Sequence, residues 1–193
     1  MLLSLFLSAY IGLDVVWAPG RHSMSRSQVH GLLRDVRHRM YVDTGVKIKI
    51  ARFRTMRNVG PKSLDGRESA LYRWQSTLEG DSLPKTLSLV LVPPIHYQGH
   101  WYMAGYAFQD CRYNGVAYAT VELRNYYGVD RYLHSVIAVM HELAHMLSAA
   151  HDLQENPATI MHPDVLPRVT SDIRFSSYSR REIRSCARRL GGI

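Results

Sequence analysis

His141, Glu142 and His145 occur together as the string HELAH. On a helix, residues four apart lie on one face about a turn apart, so both imidazoles can reach a single zinc ion. Glu142 sits one position further round, bordering that face, where a carboxylate can act as a general base on water beside the metal without ligating it. Alone, the string also fits a helix whose two histidines simply face solvent. Here it continues as HELAHMLSAAHD, which puts His151 ten residues after His141 with Asp152 directly behind it. A few residues further on comes ATIMHP, Ala158 to Pro163, with Met161 in its middle.

This chemistry requires a helix under the two histidines. Leu133, Val136, Ile137, Met140, Leu143 and Leu147 form a stripe that predicts one from Tyr132 to Leu147. Upstream, the β-formers Ile11 to Trp17 stop at Pro19-Gly20 and predict a first strand. Ser25 stands three residues before Gln28, the spacing of a capping box, and Val29, Leu32, Leu33, Val36 and Met40 recur helically behind it. After an expected turn at Asp43-Thr44-Gly45, Val46, Ile48 and Ile50 alternate with Lys47 and Lys49, the period of a strand with one face in water.

Ala70, Leu71, Trp74 and Leu78 predict a helix from Arg67 to Leu78. The continuous apolar run Leu87 to Val92, ended by Pro93-Pro94, predicts a strand buried on both faces. A further strand is expected over Val116 to Leu123 and a last helix from about Ser179 to Leu190. This order of elements predicts an α/β or α+β layer protein with one mixed sheet and packed helices.

Composition sets the outer bounds. A chain of 193 residues, 46% hydrophobic and 21% charged, is long enough for one filled core, so a single domain over 1–193 is expected. Its 13 Gly and 8 Pro are spread without a low-complexity tract, which excludes fibrous and disordered classes. The apolar start MLLSLFLSAYIG has no leading Lys or Arg and is interrupted by Ser4 and Ser8, so it makes a weak signal peptide and a poor membrane span. Cys111 and Cys186 permit at most one internal disulfide and lie in no metal-knuckle spacing.

A net charge of +8 and a pI of about 9.7 favour acidic partners, nucleic acid among them. No aromatic interleaving or nucleic-acid-binding motif accompanies that charge. The basic run Arg180, Arg181, Arg184, Arg188 and Arg189 surrounds an apolar stripe of Ile183, Ala187 and Leu190, and reads as the solvated face of a closing helix.

The segment from Tyr132 to Pro163 resembles the metzincin clan of zinc endopeptidases, whose pattern is HExxHxxGxxH followed by a methionine turn. The IMHP turn looks like that of matrixins, and the Asp after the third His is more typical of adamalysin-like members. Pro163 stands where astacins and serralysins have a tyrosine ligand. The resemblance implies a zincin-like fold and one catalytic Zn2+ held by His141, His145 and His151. It further implies that Glu142 is the base, that Met161 is the structural methionine, and that the reaction is hydrolysis of peptide bonds in a peptide or protein substrate. It also implies a secreted or extracellular location, a substrate extended along an edge strand placed within Asn114 to Val121, and a pocket wall from Asp164 to Phe175.

One position departs from the clan pattern: Ser148 replaces its glycine. A regular helix continued past Ser148 would turn His151 about 240° away from His145, so the third ligand requires the helix to break there. Glycine accepts positive φ freely, whereas serine follows at a cost of order 1 kcal/mol that zinc binding can offset. A competing third ligand is Glu182 on the final helix, as in zincins that use a carboxylate. The ten-residue offset, Asp152 and Met161 favour His151.

His134 lies two helical turns before His141, about 10 Å along the axis and too far to share the ion. His162 flanks the turn, and His96 and His100 fall in a Pro/Gly-containing loop. None of these is placed among the ligands. Two other function classes remain open from sequence: a zinc-stabilised binding or structural protein of the same fold that does not cleave, and a basic nucleic-acid-binding protein.

Overall fold

Seven consecutive buried residues make Ile11–Trp17 the middle of the structure rather than its margin, and this strand, β1, lies between two others. The computed structural model describes residues 10–19, 24–56, 86–92, 105–108, 117–123, 129–153, 159–163 and 171–191. Among these residues the sheet has five strands, β1 with β2 (Ile48–Thr55), β3 (Thr86–Val92), β4 (Gly105–Phe108) and β5 (Ala117–Glu122), in spatial order β2-β1-β3-β5-β4. Four of them run parallel, and β4 closes one edge antiparallel to β5.

Parallel neighbours need a crossover, and helix α1 (Arg26–Thr44) supplies the one from β1 to β2. It starts at the expected capping box: the Gln28 amide donates to Ser25 Oγ, and the Ser25 amide donates to Gln28 Oε1. Val29, Leu32, Leu33, Val36 and Met40 are all buried. Asp43 and Thr44, expected in a turn, are instead the last helical residues, and Gly45 caps them at φ 74° with its amide donating to the Tyr41 carbonyl.

Alternation along β1 sends Leu13, Val15 and Trp17 into the main core with α1 and with helix α2 (Val129–Met146). The opposite face carries a second apolar cluster of Val16, Val90 and Val92 beside Met56. On that face Asp14 is buried and accepts from Arg52 and Arg54 at 2.7 and 2.9 Å. A register shift between Leu13 and Asp14 aligns it with Arg52. As expected, β3 is buried throughout.

Helix α3 (Ser177–Arg189) begins two residues earlier than the apolar stripe indicates, because Ser176 caps it by accepting from the Ser179 amide. Its basic face is not wholly solvated. Arg184 donates to the Thr44 carbonyl at 2.7 Å and Arg180 approaches Asp43, so two of the arginines dock on the C-terminal end of α1, where helical carbonyls concentrate negative charge. Cys186, on the buried side of α3, is disulfide-bonded.

The expected helix from Arg67 to Leu78 lies outside the described residues. Among the described residues no helix is long and apolar enough to cross a membrane.

The edge strand is a correction. The segment Asn114 to Val121 was expected at the edge, but β5 is paired on both sides, with β3 and with β4. Among the described residues the edge on that side is β4, whose four residues GYAF are too short to register as a strand by alternation.

Candidate metal centre

Helix α2 carries His141, Glu142 and His145 in its last turns and stops at Met146. What stops it is Ser148, at φ 71° the one non-glycine residue in the left-handed region among those described. The Ser148 amide donates to the His145 carbonyl at 2.9 Å and the Ala149 amide reaches back to the Ala144 carbonyl at 3.0 Å. These are the two bonds of a Schellman ending, with serine where glycine is usual. Ala144 and Ala149, at the two ends of the longer bond, are both fully buried in the main core.

The reversal returns His151 to the helix. Its Nε2 lies 3.2 Å from that of His141 and 3.1 Å from that of His145, and the latter two are 3.0 Å apart. His141 Nδ1 donates to the Ile160 carbonyl at 2.7 Å, and His145 Nδ1 donates to the Ala149 carbonyl at 2.8 Å. A carbonyl only accepts, so in both rings the proton is on Nδ1 and Nε2 presents a lone pair. Lone pairs facing at this distance cannot bond each other. They fit a shared cation: two nitrogens at tetrahedral positions around zinc stand about 3.3 Å apart for Zn–N near 2.05 Å. The three residues could therefore hold a metal ion.

Burial tunes the same groups. It is the main cause that lowers His141 from 6.5 to about 3, with the neighbouring His145 adding to it, and it lowers His145 and His151 as well. All three are thus kept in the neutral form that ligates metal. Burial alone raises Glu142 to about 8. A perturbed carboxyl group beside three imidazoles is the arrangement expected where protons are moved.

Asp152 secures the loop that carries His151. Its buried carboxylate accepts from Thr159 Oγ1 at 3.0 Å, from Ser176 Oγ at 3.1 Å and from Ser179 Oγ at 3.0 Å. Its amide donates to the Met161 carbonyl at 3.1 Å. The Ile160 amide donates to the Arg174 carbonyl at 2.9 Å, so the turn around the buried Met161 is held to the strand-like residues before α3. A negative charge at the start of α3 also suits the helix dipole. Sequence reasoning noted Asp152 only as a family mark. The readable signal was Ser176 and Ser179, spaced as a helix cap.

Glu182 is not part of this cluster; it is partly exposed on α3 beside Arg181. His134 is half-buried on α2 and outside the group, and His162 lies close enough to His151 to affect its charge. His96, His100, Cys111 and the first part of the expected wall, up to Thr170, lie outside the described residues.

The sheet order, the antiparallel edge strand and the histidine-bearing helix beneath it define a mixed α/β, zincin-like fold. No protein-family model and no curated protein sequence matches the chain. Solved structures do match it by shape. Archaemetzincin from Methanopyrus kandleri superposes with a TM-score of 0.57 at 19% identity, covering 94% of this chain and 96% of that one. Metalloproteinase-II from Bacteroides fragilis gives 0.54 at 16% identity over 93% of this chain and 54% of its own. A structure described as a chaperone-substrate complex gives 0.58 at 14% identity, and this chain spans 35% of it. At these identities the likeness establishes a metallopeptidase-like fold and does not single out matrixins or adamalysins.

Proposed function

We propose that the chain is a zinc-dependent endopeptidase of the metzincin clan, forming one catalytic domain over 1–193. His141, His145 and His151 hold the ion, Glu142 is the base and Met161 is the structural methionine of the turn. The observation that carries this reading is the convergence of three Nε2 atoms at 3.0 to 3.2 Å, with two Nδ1 protons committed to backbone carbonyls.

Zinc bound by His141, His145 and His151 would supply Lewis acidity to the attacking water and to the scissile carbonyl. Glu142 removes the proton from the attacking water and delivers it to the leaving amine, so no covalent intermediate with the protein is needed. The carbonyls of Ile160 and Ala149 fix the ring orientation of two ligands, an outer-shell task that sustains both metal affinity and ligand basicity. A peptide substrate lies extended along β4, pairing with its free edge by main-chain hydrogen bonds.

The test uses the purified protein on a quenched peptide library, with chelator and with zinc restored, together with metal analysis. Internal cleavage that chelation abolishes and zinc restores is the expected result. Stoichiometric zinc without cleavage would leave a non-catalytic zinc protein. Salt-sensitive DNA or RNA binding that survives chelation would leave the nucleic-acid reading.

A further inference from the structure

Gly105 opens β4 and pairs with Val121 of β5. Its φ lies outside the left-handed region, where among the described glycines only Gly45 and Gly191 are found, so its backbone would accept any L-residue. The space would not. An added Cβ would stand 2.5 Å from Glu142 Cγ, 2.6 Å from its Oε1 and 2.7 Å from its Cδ. Glycine weakens a strand, and inside one it commonly marks a close approach by another group. Here the approaching group is the side chain of Glu142.

The overlap cannot be relieved by turning the carboxylate tip, because Cγ is the nearest of the three atoms. Glu142 would have to leave its rotamer, or β4 would have to withdraw from α2, and either change moves the carboxylate relative to the three Nε2 atoms. Among the described residues no hydrogen bond or ion pair holds that carboxylate. Packing against the strand is what confines it.

From this contact we infer that Gly105 is a positioning residue for Glu142: the missing side chain lets β4 and α2 approach closely enough to fix where the base stands. The catalytic consequence rests on the peptidase reading above, whereas the packing relationship does not. The same contact puts the base against the first residue of β4, so the place of the strand and the position of the base are set by one backbone segment.

The test is a double-mutant cycle on the full chain: Gly105→Ala in the wild type, in Glu142→Ala and in Glu142→Gln. Melting temperatures are read on chelator-treated protein, and zinc content, kcat and KM on zinc-loaded protein. Gly105→Ala should lower Tm by at least about 3 °C in the wild type and in Glu142→Gln, which keeps all three crowded positions. In Glu142→Ala, which lacks them, it should change Tm by no more than about 1 °C. Zinc should stay stoichiometric in Gly105→Ala while kcat falls at least about tenfold with KM little changed.

Equal Tm losses in the wild-type and Glu142→Ala backgrounds overturn the inference, as does loss of zinc from Gly105→Ala. If Gly105→Ala does not fold, recovery of a folded protein by Gly105→Ala/Glu142→Ala supports it, and failure to recover overturns it. A wild type that cleaves nothing but keeps the expected Tm pattern sinks the peptidase reading and leaves the positioning contact standing.

Discussion

His145 donates from Nδ1 to the carbonyl of Ala149 at 2.8 Å, and Ala149 is the residue whose amide closes the ending of the same helix on Ala144. The turn at Ser148 therefore does two things at once. It brings His151 back to the helix, and it supplies the acceptor that orients the second ligand and sets its tautomer.

Ser148→Gly relieves a left-handed serine at a cost in unfolded-chain entropy that offsets part of the gain. We expect a neutral to mildly stabilising change, up to about 1 kcal/mol, in thermal melts of the metal-free protein. Destabilisation of that size would instead mean that the helix runs straight through residue 148.

Glu142→Ala removes the base and leaves three imidazoles in place. Metal analysis should find zinc at one equivalent, while kcat/KM on a cleaved peptide drops by several orders of magnitude, roughly 10³-fold or more. Activity equal to wild type would sink the proposed mechanism.

The third ligand is checked by paired substitutions. His151→Ala should lose zinc on dialysis, as should His145→Ala, because two imidazoles make an incomplete site. Glu182→Ala, on the surface of α3, should keep it. The reverse pattern would reassign the ligand to the final helix.

Asp152→Ala leaves the hydroxyls of Thr159, Ser176 and Ser179 without their buried acceptor. Denaturant unfolding should show a loss of about 2–4 kcal/mol. Zinc affinity should weaken by about 10–100-fold as the loop bearing His151 loosens. A change under about 0.5 kcal/mol would show the network to be idle.

The metal-free protein should have a stability maximum in pH. The three histidines are lowered from 6.5, His141 to about 3, so the stability they contribute is present above 6.5 and is lost as pH falls and the unfolded chain takes up protons first. Glu142, raised from 4.5 to about 8, works oppositely: its contribution is present below 4.5 and is lost as pH rises toward 8. Between 4.5 and 6.5 the lowered His141 offsets the raised Glu142, and the lowered His145 and His151 tip the balance toward stability that rises with pH; above 6.5 the loss from Glu142 is what remains among these four groups, so Tm of chelator-treated protein should peak near 6.5. Glu142→Gln should flatten the decline on the alkaline side. A Tm that keeps rising through pH 8 in the wild type would contradict this assignment.

Much of this molecule was written in local patterns. The helix from Tyr132, the capping box at Ser25, the buried strand from Leu87 and the need for a break at Ser148 all depend on periodicity or on backbone geometry within a few residues. The fixed turn angle of a helix requires a break between His145 and His151 if both are ligands, and the clan pattern, with glycine at that place, puts the break at Ser148. Other features were decided only by tertiary structure. Strand β4 is four residues long and carries no period of its own, so pairing with β5 makes it a strand and moves the sheet edge away from Ala117–Glu122. Gly105 carries no mark of its own in the sequence, and only the approach of Glu142 from another element gives it a steric reason. The donors to Asp152 and the acceptors of Arg184 and of both histidine Nδ1 protons come from turns, helix ends and a cap brought together by the fold, and the spacing of residues along the chain contains no record of which carbonyl or hydroxyl will face them.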